Sequence, residues 1–263
     1  NCEIRLFETE KRIEWLFSAR KMPVLEPEAI YVAFPFQLSN AAIRYEVQGG
    51  LVEPGKGQIP HSASDWQSIQ NYAIVQGDEG QIVWGSSEAP LVQLGDINLG
   101  KYQPVTQIEK PHIYSLVMNH YRFTNFTASQ EGEFRWRYYL TSGPNKDPGA
   151  AARFGWGSAV PLAVRVLAAG TSGKNNPVWQ GLNLDQANLL LVSAQPAKSA
   201  QGIVLHLRET AGRPAALAVD NLLPGKRRVR ATLVNVLQEP LADGITAIDI
   251  KPFEVKFVKL AWD

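Results

Sequence analysis

Between Gly57 and Ile97, three short apolar runs are separated by turn residues, and that rhythm leaves little choice but antiparallel sheet. The first run is Ile69–Val75. Gly77-Asp78-Glu79-Gly80 then supplies a turn. Gln81–Trp84 returns from it, and Ala89–Leu94 gives a third strand. The stretch reads as a β-meander. A polar loop holding Pro60, His61, Ser62, Ser64 and Asp65 stands at its mouth, where binding groups usually sit.

The rest of the chain repeats the theme. Glu3–Phe7 and Arg12–Phe17 are strand-like. Glu28–Phe36 is apolar on both faces, which predicts a central strand covered on both sides. Ile43, Tyr45 and Val47 alternate with Arg44 and Glu46, which predicts a strand with one wet face. Glu133–Thr141 alternates most cleanly, with Phe134, Trp136, Tyr138 and Leu140 on one side and Arg135, Arg137 and Tyr139 on the other. A helix is plausible only over Ala150–Ala169, where Gly155, Gly157 and Pro161 are expected to break it. Its second part, Ala163–Ala168, reads as a short helix or a strand.

Around Gly181–Gln186 the composition shifts from aromatic to Leu, Val and Ala, so a boundary is expected between residues 183 and 184. Leu189–Val192, Ile203–Leu207, Val229–Leu233 and Phe253–Trp262 read as strands of a second, smaller domain. In the last of these the apolar phase slips by one residue, which predicts a bulge near Phe257. Many strands, frequent Gly and Pro turns and little helical periodicity make the chain all-β.

Composition narrows the function. With 263 residues, 45% of them apolar, the chain can bury a sizeable core. A net charge of +1 favours neither nucleic acid nor an anionic membrane as partner. The Lys226–Arg230 cluster reads as a charged loop. No uninterrupted apolar run is long enough to span a bilayer. Cys2 is the only cysteine, so no internal disulfide or cysteine metal cage can form, and a reducing compartment such as the cytoplasm fits. The N-terminus has scattered charges instead of a signal-peptide layout and reads as a chain caught in the middle.

A retaining glycosidase needs two carboxyl groups roughly 5 Å apart. Asp65, Asp96, Glu79 and Glu88 are the candidates, with Asp65 and Asp96 best placed because both stand at strand ends. The competing reading is that these groups cap turns or pair with arginines. His61, His112, His120 and His206 form no HxH, HxxxH or HExxH spacing, so a zinc site built from this chain alone is not expected. His206 is expected to face solvent. Sugar recognition needs flat aromatic faces together with amides and carboxylates. Two phrases supply them, Ser64–Asn71 and Asn119–Phe126, and the expected substrate-binding set is Asp65, Trp66, Asn71, Asn119, Tyr121 and Asn125.

Four phrases also carry a resemblance. EAIYVAFPF (Glu28–Phe36), SDWQSIQNYAIV (Ser64–Val75), EAPLVQLGDI (Glu88–Ile97) and VMNHYRFTNF (Val117–Phe126) resemble, in order, the C-terminal β region of the α-mannosidases of glycoside hydrolase family 38. The resemblance implies a large galactose-mutarotase-like sandwich over 1–183 and a small β-sandwich over 184–263. It implies retaining hydrolysis of α-mannosides by the complete enzyme. The zinc ion and catalytic carboxylates would come from an N-terminal α/β domain that nothing here resembles, so no catalytic residue is expected in this chain. Its partners would be the mannoside, whose cleft it walls on one side, and that N-terminal domain. The alternative is a free-standing carbohydrate-binding or aldose-mutarotase-like protein.

Overall fold

The computed structural model describes residues 1–62, 64–98, 101, 103, 106–120, 129–160, 181–198, 201–223 and 229–261. The chain forms two compact units, Asn1–Val160 and Pro161–Asp263. Residues 161–180, between that division and the boundary expected at 183/184, lie outside the described residues, as does Ala163–Ala168.

The first unit contains β1 (Cys2–Leu6), β2 (Ile13–Lys21), β3 (Glu28–Pro35), β4 (Ala42–Val47), β5 (Gly50–Val52), β6 (Gln67–Ser68), β7 (Ala73–Gly77), β8 (Gly80–Ser86), β9 (Leu91–Leu94), β10 (His112–His120), β11 (Gly132–Gly143) and one helix, α1 (Pro148–Ala159). A seven-stranded sheet runs β1-β2-β11-β8-β7-β4-β5, and a four-stranded sheet runs β3-β10-β9-β6. Every pairing in them is antiparallel. The two sheets enclose an aromatic core. Phe34 of the smaller sheet lies 4.8 Å from Tyr138 and 5.5 Å from Trp84 of the larger, and Trp15 stacks on Phe34 at 5.3 Å. These offset and tilted contacts add to the area burial that holds the layers together.

The second unit is built from β12 (Leu189–Pro196), β13 (Ile203–Glu209), β14 (Ala215–Ala218), β15 (Arg230–Val234), β16 (Pro240–Ile245), β17 (Ala247–Ile250) and β18 (Val255–Ala261). A five-stranded sheet, β12-β13-β18-β15-β16, faces the pair β14-β17. Its core is aliphatic: Leu205, Leu207, Leu217, Ile248, Ile250, Val258 and Leu260 are buried together. The all-β expectation holds in both units.

Five local expectations are corrected. Ile69–Val75 is not one strand. Gln67–Ser68 belongs to the four-stranded sheet and Ala73–Gly77 to the seven-stranded one, and the chain crosses between them because Ile69 enters the aromatic core while Tyr72 turns outward under α1. β3 is an edge strand, not a central one, and of its residues only Phe34 is fully buried. The expected wet face of β4 is covered: Glu46 is 1% exposed, because α1 lies over it.

The helix is the fourth correction. It runs through both Gly155 and Gly157, started by the Asp147 side chain accepting from Gly149 N at 3.0 Å and by Pro148 in its first turn. Gly155 is a packing demand: a Cβ there would stand 2.5 Å from the Tyr72 ring. Finally, β18 pairs with β13 and β15 without a register shift at Phe257. Both of its faces are apolar instead, Val258 and Leu260 toward the main core and Phe257 toward Ala197, Val204 and Val234.

Candidate functional site

The loops at one end of the four-stranded sheet build a polar cleft. In register, Leu94 at the end of β9 stands opposite Ile113 at the start of β10, and Gln67 of β6 stands opposite Val92. The segment before β6 and the segment from Gly95 to Pro111 therefore leave the sheet side by side. Gly95 makes the exit turn: φ is +84°, and its N–H donates to His112 O at 2.9 Å. Ser64 Oγ donates to Gln103 O at 2.8 Å and ties the two segments together.

Three adjoining cavities occupy this region. One of about 310 Å³ is lined by Asp96, Gln103, Gln107, Glu109, Lys110, His112 and Tyr114. A small one of about 50 Å³ is walled by both Asp65 and Asp96, with Ser64, Gln67, Asn98, Gln103 and Gln107. A third, of about 270 Å³, is bordered by Lys56, His61, Ser62, Ser64 and Gln103. They share Asp96, Gln103 and Gln107 on one side and Ser64, Gln103 and Thr106 on the other.

The cleft floor is held from beneath. Gln67, 4% exposed, accepts from Tyr45 OH at 2.5 Å and from Gln58 Nε2 at 2.9 Å. Burial pushes the Tyr45 phenol up to about 12, so it stays a neutral donor. Asp96 Oδ1 accepts from Ile97 N at 2.8 Å. Asp65 Oδ1 is buried with no hydrogen-bond partner among the described residues. His112 Nδ1 lies 3.3 Å from Tyr114 OH on the outer wall. His61 holds φ +64°, a conformation side chains other than glycine rarely adopt and one that concentrates at functional loops. Carboxylates accept, carboxamides both accept and donate, and the hydroxyls do either, so this lining suits a ligand rich in vicinal hydroxyls.

The structure divides the residues expected to bind substrate. Asp65 is in the cleft. Trp66 follows it, half-buried, lines none of the three cavities and has its Nε1 buried without an acceptor among the described residues. Asn71 faces the opposite layer, where its Nδ2 donates to Glu46 Oε2 at 3.0 Å. Asn119 is exposed at the far end of β10, opposite Ala29. Six strand positions separate it from Ile113, about 20 Å along the strand. Tyr121 and Asn125 lie outside the described residues.

Of the other carboxylates, Glu88 grips Arg137 with its Oε1 at 2.7 and 2.8 Å, and Glu79 accepts from Ser39 N at 2.9 Å and Ser39 Oγ at 2.7 Å, as the turn-capping and arginine-pairing reading expected. His120 is buried at the end away from the cleft, with Nδ1 3.2 Å from Glu28 Oε1, which Lys21 Nζ reaches at 2.6 Å. His206, expected to face solvent, is half-buried: its ring lies 4.5 Å from that of Phe257, and burial lowers its pKa. Gln103, Gln107 and Tyr114 are among the lining residues that sequence reasoning did not single out. Gln103 and Gln107 fall in the polar stretch between Gly100 and Pro111, whereas Tyr114, on β10, carried no such signal.

Among the described residues, no three His, Cys, Asp or Glu side chains converge as metal ligands would. The described residues therefore supply no site for the zinc ion, which the resemblance assigns to a domain outside them.

No protein-family model and no curated relative matches the sequence. Solved structures do. An α-mannosidase from Enterococcus faecalis V583 superposes with a TM-score of 0.72 at 13% identity, over 97% of this chain and 28% of that one. The fold is that of glycosyl hydrolase family 38 structures. A family 38 protein, also from Enterococcus faecalis, gives a TM-score of 0.71 at 13% identity, over 97% of this chain and 29% of its own. The chain thus spans less than a third of the length of the structures it matches, and at this identity the likeness is one of fold. The family 38 fold is also the one that the four sequence phrases resemble.

Proposed function

We propose that this chain is the β-sheet portion of a retaining α-mannosidase, walling one side of the mannoside cleft and packing on a catalytic domain. The observation that carries the reading is the convergence of Asp65 and Asp96, candidates from the sequence alone, on one small cavity of a fold shared with family 38. In this reading the carboxylates and the Gln103 and Gln107 amides receive sugar hydroxyls at the sheet's loop end. The catalytic carboxylates and the zinc ion are supplied from outside these residues.

The test is a titration of the chain with methyl α-mannoside followed by NMR, beside an assay on an aryl α-mannoside. Saturable shifts are expected, weakened at least tenfold by Asp65→Ala and unchanged by Asn119→Ala at the other end of the sheet. No aryl mannoside turnover is expected. Absence of binding, or equal binding by the Asp65 variant, overturns the cleft assignment. Turnover by the chain alone overturns the placement of the bond-breaking groups elsewhere.

One observation favours the mutarotase reading: His112 shares a cavity with Asp96 and Glu109, the types of group that open and reclose a hemiacetal ring. Accelerated exchange between the anomers of a free aldose, lost on His112→Ala, would select it.

A further inference from the structure

β1 is the edge of the seven-stranded sheet, and all five of its residues are exposed. Its register with β2 shows which side of each residue is free. Asn1 N donates to Ser18 O at 2.7 Å and Ser18 N to Asn1 O at 3.0 Å, so Asn1 and Ser18 form a hydrogen-bonded pair. Antiparallel pairs alternate, so Glu3 and Arg5 also turn their backbone groups toward β2. Cys2, Ile4 and Leu6 turn theirs away from it, toward an edge that no strand covers among the described residues. Natural sheets rarely leave such an edge with large apolar side chains, yet Ile4 is 58% and Leu6 76% exposed.

The five residues are also complementary to themselves. We propose that β1 is a docking strand for a second copy of this chain, paired antiparallel about Ile4. In that register Ile4 faces its counterpart and Cys2 faces Leu6, all outward-turned, so six backbone hydrogen bonds close across the two-fold axis. Glu3 then stands opposite the second copy's Arg5 at the non-hydrogen-bonded positions, where side chains approach closest. The reverse contact is identical by symmetry, so two opposite-charge pairs form and no like charges meet. Within one copy, Arg5 lies 2.6 Å from Glu3 and 3.7 Å from Glu14, so the guanidinium is already on that face.

The experiment is light scattering after size exclusion at tens of micromolar of the 263-residue chain. Twice the monomer mass is expected. Ile4→Pro removes an outward N–H that the β2 pairing does not use, so it should raise the dimer dissociation constant at least tenfold with an unchanged circular dichroism spectrum. A second pair of variants does not depend on proline being tolerated. Glu3→Arg alone and Arg5→Glu alone each place like charges opposite one another and should be monomeric, whereas an equimolar mixture of the two should recover the dimer. A monomeric parent, a proline variant that dimerises like the parent, or a mixture that stays monomeric would each overturn the proposal.

Discussion

Each unit holds a glutamate that is almost wholly out of solvent, Glu46 in the first and Glu209 in the second, and they hold it in different ways. In the first unit Glu46, 1% exposed, is held by side chains: Trp156 Nε1 at 2.7 Å and Asn71 Nδ2 at 3.0 Å. In the second, Glu209, fully buried, is held mostly by backbone. Its Oε1 accepts from Ala211 N at 2.7 Å and Asn188 Nδ2 at 2.9 Å, and its Oε2 from Gly212 N and Phe253 N, both at 2.8 Å. Glu46 joins a sheet to α1. Glu209 staples the loop after β13 to the turn before β18. The aliphatic second unit turns Glu209 inward as a structural clamp. The aromatic first unit closes its back with Glu46 and still leaves Asp65 and Asp96 facing a cleft.

The largest effect should come from breaking the backbone clamp. A glutamine at Glu209 replaces one oxygen by an NH₂ group, so two buried donors lose their acceptor. Each orphaned donor costs about 1–3 kcal/mol, so Glu209→Gln should destabilise the second unit by about 3 kcal/mol, measured by urea unfolding at neutral pH. Burial alone would raise the Glu209 carboxyl; the N–H donors outweigh it and hold the pKa below the usual carboxylate range. A lowered folded-state pKa contributes stability above the unfolded-state value and loses it as pH falls through the folded one. The parent should therefore lose more stability on acidification below the usual carboxylate range than Glu209→Gln does. Equal acid sensitivity would erase the contrast between the units.

The side-chain clamp should be softer. Trp156→Phe keeps the ring over the sheet and removes one donor to a charged acceptor, worth about 1.5–3 kcal/mol. The near-ultraviolet signal of the first unit should melt earlier by that amount. Asn71→Ala removes the other donor, and a double-mutant cycle with Trp156→Phe should show coupling, because both bind one carboxylate. Additive losses would mean that Glu46 is not their shared anchor.

How much of this was legible in the sequence follows from distance along the chain. β11 was legible because Phe134, Trp136, Tyr138 and Leu140 alternate within one strand, and the structure needs nothing more to orient it. The burial of Glu46 was not, because the helix that covers it arrives about a hundred residues later, through Trp156. The edge position of β3 was hidden for the same reason, since pairing order is a property of the sheet and not of the run. At the cleft, Asp65 and Asp96 were legible as polar residues at strand ends. The structure does not bring Asn71 and Asn119 to Asp65, because proximity in motif ignores what lies between. Asn71 sits past the crossover to the other sheet, and Asn119 is the length of β10 away from the cleft.

The smallest effect sharpens the comparison at the helix that closes the first unit's back. Gly155 and Gly157 are two residues apart, and helix propensity alone makes alanine better than glycine by roughly 0.8–1 kcal/mol at either. Their surroundings differ. A Cβ at Gly157 meets nothing within 4 Å, so Gly157→Ala should gain most of that amount. At Gly155 the same atom would stand 2.5 Å from Tyr72 Cδ1 and 2.6 Å from its Cβ, and overpacking of about 1–3 kcal/mol outweighs the gain. Thermal unfolding of the two variants should therefore move in opposite directions, Gly157→Ala upward and Gly155→Ala downward. If Gly155→Ala also stabilised, the helix would not press on Tyr72 as closely as the packing requires, and the lid over Glu46 would be looser than the clamp around Glu209 by more than their hydrogen bonds suggest.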